Sequence, residues 1–217
     1  MSWIIASIYE RMLRRTEEAC LGRWRGELLS VVEGEVLEVG AGAGANVPHY
    51  GPRITRLVLS EPDPHMRRRL TEAVRRARLA RVEVSDASLG ALPMAAASFD
   101  VVVSTLVLCS VPDQPAALAD AYRVLRPGGR LVFIEHVAAE ANPARLWWQH
   151  FVEPLWRRLA GNCHLTRRTE EALVAAGFTI DRIQRESIRK VMPLVRPSIR
   201  GVARKPVQPC RPAGVAR

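Results

Sequence analysis

The sequence predicts an α/β chain folded as a doubly wound, mostly parallel sheet of seven strands that ends in an antiparallel hairpin. Three observations predict it. From about residue 34 to residue 137, short apolar runs alternate with amphipathic helical stretches, the rhythm of a parallel sheet covered on both faces. The first run ends in a turn containing Gly40, Gly42 and Gly44, where backbone can approach a ligand without obstruction by Cβ atoms. Two strand-like runs close the chain, at residues 178–188 and 199–204, and are expected to pair with each other.

Taken in order, Ile4, Ile5, Ile8, Met12 and Leu13 recur at close to a 3.6-residue period, and Leu21, Trp24, Leu28 and Leu29 do so again. Two amphipathic helices, residues 1–33, are therefore expected as a lid before the main domain of residues 34–205. Val36–Val39 is the first strand and 55–60 the second. Pro48 between them fits only a first helical turn, so the helix after the glycines must be short or irregular. Asp63-Pro64 supplies an N-cap and an N1 proline for a helix to about Leu79. Residues 81–85 and 99–104 are the third and fourth strands. Asp113 can cap a helix whose stripe Leu118, Ala121, Tyr122 and Leu125 is buried and which Pro127-Gly128-Gly129 ends. Residues 130–137 form the fifth strand. Residues 143–160 then carry Trp147, Trp148, Phe151, Leu155, Trp156 and Leu159, interrupted by Pro154. They read as the start of a kinked helical cover over 143–177, completed by a helix at 166–176 that Gly177 ends. Residues 206–217 are proline-rich and expected to be a disordered tail.

Composition narrows the function classes. A chain of 217 residues, 48% hydrophobic, supports one sizeable core. Of 32 basic residues all but Lys190 and Lys205 are arginine, and the net charge is +10. Such a charge favours anionic partners in general, yet the arginines are scattered, and Arg67–Arg69 with Arg75 and Arg76 read as one solvated helix face. No nucleic-acid partner is expected. Cys20, Cys109, Cys163 and Cys210 form no CxxC pair and no His/Cys cluster at metal spacing, so neither a metal site nor a disulfide framework is expected and a reducing cytoplasm fits. The apolar opening stops at Glu10 and Arg11, about half the length of a membrane span. Peripheral membrane contact stays open.

The glycine turn alone is ambiguous, because Gly40-x-Gly42-x-x-Ala45 also satisfies a loose dinucleotide fingerprint. Three carboxylates at successive strand ends bear on the choice. Glu38, two residues before Gly40, can meet the ammonium of an amino-acid-bearing cofactor, directly or through water, and would repel a pyrophosphate. Glu61 can accept protons from ribose hydroxyls, which serves either cofactor. Asp86 can take the adenine amino proton.

Glu38-Val-Gly-Ala-Gly-Ala-Gly44, Glu61, Ser85-Asp86-Ala87, Phe99–Ser104 and Val124-Leu-Arg-Pro-Gly-Gly129 resemble the ordered motifs of class I S-adenosylmethionine-dependent methyltransferases of the type 11 branch. Thr105–Val111, Glu135–Glu140, Asn162–Arg167 and Leu194–Gly201 are further similar to the alkyl-thiol S-methyltransferases. The resemblance implies a Rossmann-like fold, S-adenosyl-L-methionine as cofactor, and Glu38, Gly40, Gly42, Gly44, Asn46, Glu61, Asp86, Ala87 and Thr105 as the residues that hold it. It implies a small lipophilic acceptor, an alkyl thiol foremost, with the amine of phosphatidylethanolamine, a quinone or a secondary metabolite as alternatives.

Methyl transfer to a thiol needs the thiolate, and a free thiol of pKa about 8.5 is only a few per cent ionised at neutral pH. His136, at the end of the fifth strand, is the expected base, and Arg167 the expected positive field. Cys109 and Cys163 are expected to be small buried hydrophobes, His150 and His164 packing residues, and the tryptophans an apolar cover matched to an apolar acceptor. Two other classes stand beside this reading: a cofactor-binding protein without turnover, associated with RNA or membrane, and a nicotinamide dehydrogenase.

Overall fold

The computed structural model describes residues 14–79 and 81–207; the first expected helix and the tail from residue 208 lie outside them. A π-helical turn, Glu17–Leu21, runs into α1 (Gly22–Leu29). Then come β1 (Gly34–Val39), β2 (Ile54–Ser60), α2 (Pro64–Ala77), β3 (Val82–Ser85), β4 (Phe99–Thr105), α3 (Gln114–Val124), β5 (Leu125–His136), α4 (Pro143–Leu159), α5 (Thr169–Ala175), β6 (Thr179–Ser187) and β7 (Pro197–Arg204). The only structure between the glycine turn and β2 is a 3-10 turn, Val47–His49, the irregular piece that Pro48 predicts.

The seven strands lie in the order β3-β2-β1-β4-β5-β7-β6, parallel except for β7, which runs antiparallel to both β5 and β6. The strand order reverses between β1 and β4, the place where the carboxyl ends of such a sheet leave a crevice.

Alternation along the strands sorts the core into two layers. Leu37, Val39, Val102, Leu131 and Phe133 face α3 and α5, whereas Val36, Leu57, Leu59, Val101, Val103 and Val132 face Trp24, Leu28 and Leu29 of α1 and Leu70 of α2. Glu38 follows Val36 on the α1 side, so a carboxylate replaces an apolar side chain in the last layer before the crevice.

Helix starts follow the sequence closely. Asp63 accepts from the backbone N–H of His65 and Met66 and Asp113 from that of Ala116, each ahead of a proline-containing first turn. Two ends differ from expectation. α3 stops at Val124; Leu125, expected in the helix stripe, and Pro127–Gly129, expected to end the helix, already belong to β5, with a register shift opposite Phe99–Val101. The helix expected from Thr166 begins at Thr169, because residues 162–168 are drawn out to bond with the loop after β4.

The cover is also turned over. Trp147, Trp148 and Phe151 are 58%, 51% and 67% exposed, and in α4 only Gln149 is fully buried, donating to the carbonyls of Val137 and Leu194 and accepting from the N–H of Ala139. The periodicity found a helix with an apolar face, but polar hydrogen bonds by Gln149 fix which side meets the fold. Among the described residues no helix is long and apolar enough to cross a membrane.

Candidate active site

The glycine turn sits at the switch point. Gly40 has φ +59°, and a Cβ there would lie 2.6 Å from Val107 Cγ2, so the turn can pack against the loop after β4 only as glycine. Gly42 has φ +57°, and among the described residues nothing lies within 4 Å of a Cβ position there. Gly44 meets α2, its Cβ position 3.0 Å from that of Ala73. A cavity of about 490 Å³ runs beside the turn between Ala43–Val47 and Ala73–Ala77.

Glu38 is the centre of a buried network. Its Oε1 accepts from Asn46 Nδ2 at 2.9 Å and its Oε2 from the Tyr50 hydroxyl at 2.6 Å. Burial raises its pKa from 4.5 to about 7, against the lowering effect of these bonds and of Arg25. Asn46 also donates to Thr105 Oγ1 at 3.1 Å and accepts from Arg25 Nη1 at 2.6 Å. Both amide hydrogens of Asn46 are thus used within the chain, and it braces Glu38 and Thr105 across β1 and β4. No sequence pattern points to Tyr50 or Arg25, since the loop and the helix that carry them meet only after folding.

Glu61, buried at the end of β2, accepts from Gly42 N–H at 2.8 Å and from Asp63 N–H at 2.9 Å, which leaves further lone pairs on each oxygen. Asp86 is exposed beyond β3, while the backbone of Ala87 is buried, its carbonyl accepting from Ser60 Oγ. A carboxylate with spare acceptor capacity, a second carboxylate in a buried polar floor and a glycine cradle at one switch point fit a ligand carrying an ammonium, a ribose and an adenine.

On the β4–β5 side, Glu135 organises the loop of residues 106–111. Fully buried, it accepts from Ser104 Oγ at 2.7 Å and from the N–H groups of Val107 and Leu108 at 3.1 Å and of Cys109 at 3.3 Å. These bonds hold a loop that begins with Leu106 at φ +59°, an unfavourable conformation for a branched residue. Burial nevertheless pushes the Glu135 carboxyl up.

Residues 162–168 are stitched to the same loop. His164 N–H donates to the Cys109 carbonyl at 2.8 Å, Asn162 Nδ2 to that of Ser110 at 3.0 Å, and Arg167 to those of Leu108 and Val111. Arg167 is therefore a half-buried clamp whose guanidinium spends hydrogens on carbonyls; burial lowers its pKa. A groove of about 880 Å³ on the far flank of β5 includes Arg167 but none of the residues expected to hold cofactor.

The stitching corrects the reading of the cysteines. Cys109 and Cys163 are not isolated small hydrophobes: with His136 they form one group whose donor atoms all lie within 4.8 Å of one another, and His136 Nε2 is 2.8 Å from Cys163 Sγ. The neighbouring Cys109 and the imidazole pull the Cys163 thiol down, while the same contact, burial and the Glu135 charge push Cys109 up. His136 Nδ1 is buried and finds no partner among the described residues. His164 is likewise more than packing, its Nδ1 3.1 Å from Glu153 Oε1, whereas His150 is exposed.

Comparison with known proteins gives the family. Residues 37–133 match the family described as a methyltransferase domain, Methyltransf_11. Human thiol S-methyltransferase TMT1A is 40% identical over 172 residues, covering 78% of this chain and 70% of the human protein. The chain belongs to the class I S-adenosylmethionine-dependent methyltransferases. Its cofactor is S-adenosyl-L-methionine, and the dehydrogenase reading is set aside. Rat TMT1B is 38% identical over 146 residues, 66% of this methyltransferase, which spans only 59% of the rat protein's length. Demethylmenaquinone methyltransferase of Tropheryma whipplei is 32% identical over 160 residues, 70% of this chain and 61% of that protein. Two solved structures share the fold at 21% identity: an S-adenosylmethionine-dependent methyltransferase of Mesorhizobium loti (TM-score 0.63, 87% of this chain and 97% of that one) and the [4+2]-cyclase SpnF (TM-score 0.67, 89% and 80%). The second shows that this fold alone does not fix the reaction.

Proposed function

We propose that this methyltransferase moves a methyl group from S-adenosylmethionine to the sulfur of a small lipophilic thiol. The observation that carries the reading is the buried His136, at the carboxyl end of β5 and in contact with Cys163, on the sheet edge where an acceptor would meet the cofactor. The name of the 40% identical human relative supports it.

Glu61 would hold the ribose hydroxyls and the floor of Glu38, Asn46 and Tyr50 the amino-acid end, with Thr105 beside it. The Gly40–Gly44 backbone would follow the ligand between them, and Asp86 and Ala87 would meet the adenine. The bound cofactor supplies a methyl on a sulfonium, so the leaving group needs no acid. His136 would take the thiol proton and pass it to solvent, which leaves the acceptor sulfur as the nucleophile for that methyl. Arg167 positions the Cys109 loop and adds positive charge near the developing thiolate.

Labelled S-adenosylmethionine offered with an alkyl thiol, with phosphatidylethanolamine and with a demethylated quinone tests the proposal. Transfer to the thiol is expected, and His136→Ala is expected to lower kcat roughly 10²-fold with cofactor affinity unchanged. Transfer to the quinone alone would favour the second reading, to which the Tropheryma relative points.

A further inference from the structure

We propose that Cys109, His136 and Cys163 form a site for a thiophilic divalent cation, zinc foremost, with an open fourth position that receives the acceptor sulfur; the last clause rests on the thiol reading above.

The three donors come from three segments that sequence spacing does not connect: the loop after β4, the end of β5 and the loop after α4. Among the described residues no other trio of His, Cys, Asp or Glu is brought together in this way. Two thiolates and an imidazole are a soft-to-borderline set that zinc prefers, and two thiolates balance its charge.

Tetrahedral bonds of about 2.3 Å to sulfur and 2.0–2.1 Å to nitrogen place ligand atoms about 3.5 Å apart. The group's 4.8 Å span brackets that separation, and the 2.8 Å contact between His136 and Cys163 must open to reach it. The surroundings are built to hold the ligands: Cys109 N–H donates to Glu135, its carbonyl accepts from His164, and Asn162 and Arg167 pin both loops. Cys109 and His136 are buried and Cys163 is partly exposed, so a fourth ligand can arrive from the Cys163 side. Three protein ligands with one open position is the pattern of catalytic rather than structural zinc.

The acceptor thiol binds through sulfur and releases its proton to solvent. The metal-held thiolate then forms the new S–C bond as the sulfonium–methyl bond breaks, and the neutral thioether product, a weaker ligand, leaves. With the cation in place His136 acts as a ligand, and acidification by the metal replaces proton abstraction.

The test uses the full chain, purified under reducing conditions, loaded with Zn²⁺ or Co²⁺ and dialysed. About one ion per chain is expected, with a thiolate-to-cobalt charge-transfer band, tetrahedral visible bands, and a change in those bands on adding an alkyl thiol. Cys109→Ser and Cys163→Ser should each lower retained metal at least about tenfold while cofactor binding shows that the fold persists, and Cys20→Ser should leave it unchanged. Failure of the wild-type chain to retain metal, retention unaffected by both cysteine variants, or a Cys109–Cys163 disulfide in the reduced preparation would overturn the site. Thiol methylation undiminished in metal-free protein would overturn its role and leave the proposed function standing. A stoichiometric metal in a protein that methylates no thiol would overturn the function and leave the cation site.

Discussion

At the scale of single residues, Glu38 shows how a buried carboxylate is held at a cost. Its pKa rises from 4.5 to about 7 because burial outweighs the bonds from Tyr50 and Asn46. The folded chain keeps this proton where the unfolded chain has released it, so between about pH 4.5 and 7 this group's contribution to stability falls as pH rises, and above 7 the loss is complete. Glu38→Gln removes that dependence. Urea unfolding at pH 5.5 and at pH 8 should show the difference between the two pH values shrinking in the variant by on the order of 1–3 kcal/mol; an unchanged difference would show that Glu38 ionises normally.

At the scale of elements, the loop of residues 106–111 and the segment 162–168 act as one unit with the end of β5. Glu135 accepts three backbone N–H groups of that loop and the Ser104 hydroxyl, and truncation would leave these donors without their acceptor in a buried place. Glu135→Ala is expected to lower stability by about 3 kcal/mol or more. It should also displace Cys109 and lower methyl transfer more than cofactor affinity. Denaturant midpoints read against kcat and cofactor Kd would check this, and a variant with normal stability would sink the assignment. The exposed aromatic face of α4 marks the limit of periodicity as a guide: a 3.6-residue pattern locates a helix but does not say which neighbour, if any, covers its stripe.

At the scale of the whole molecule, Arg200 of β7 ties the N-terminal helix to the closing hairpin. Buried itself, it reaches Glu27 of α1 at 2.5 Å and Glu186 of β6 at 2.9 Å, with its guanidinium 5.3 Å from the centre of the Trp24 ring. Both glutamates are partly exposed, so the pairs are worth less than fully buried ones. Arg200→Ala is expected to cost about 2 kcal/mol, read as a lower urea midpoint with an unchanged m-value. A loss confined to cofactor affinity would mean that α1 docks independently of the hairpin.

The sheet, the glycine turn at its switch point and the carboxylates Glu38 and Glu61 at successive strand ends are legible in the residue order, because they depend on local periodicity, steric freedom and short spacing. Proline placement even foretold the 3-10 turn after the glycines. Folding in three dimensions makes Asn46 a brace and Arg167 a clamp on carbonyls, and turns the face of Trp147 and Trp148 outward. It alone joined Cys109, His136 and Cys163. Those three are separated by 27 residues at each step, with strands and helices between them, and no local pattern encodes a contact made when separate loops bond through backbone groups common to every sequence.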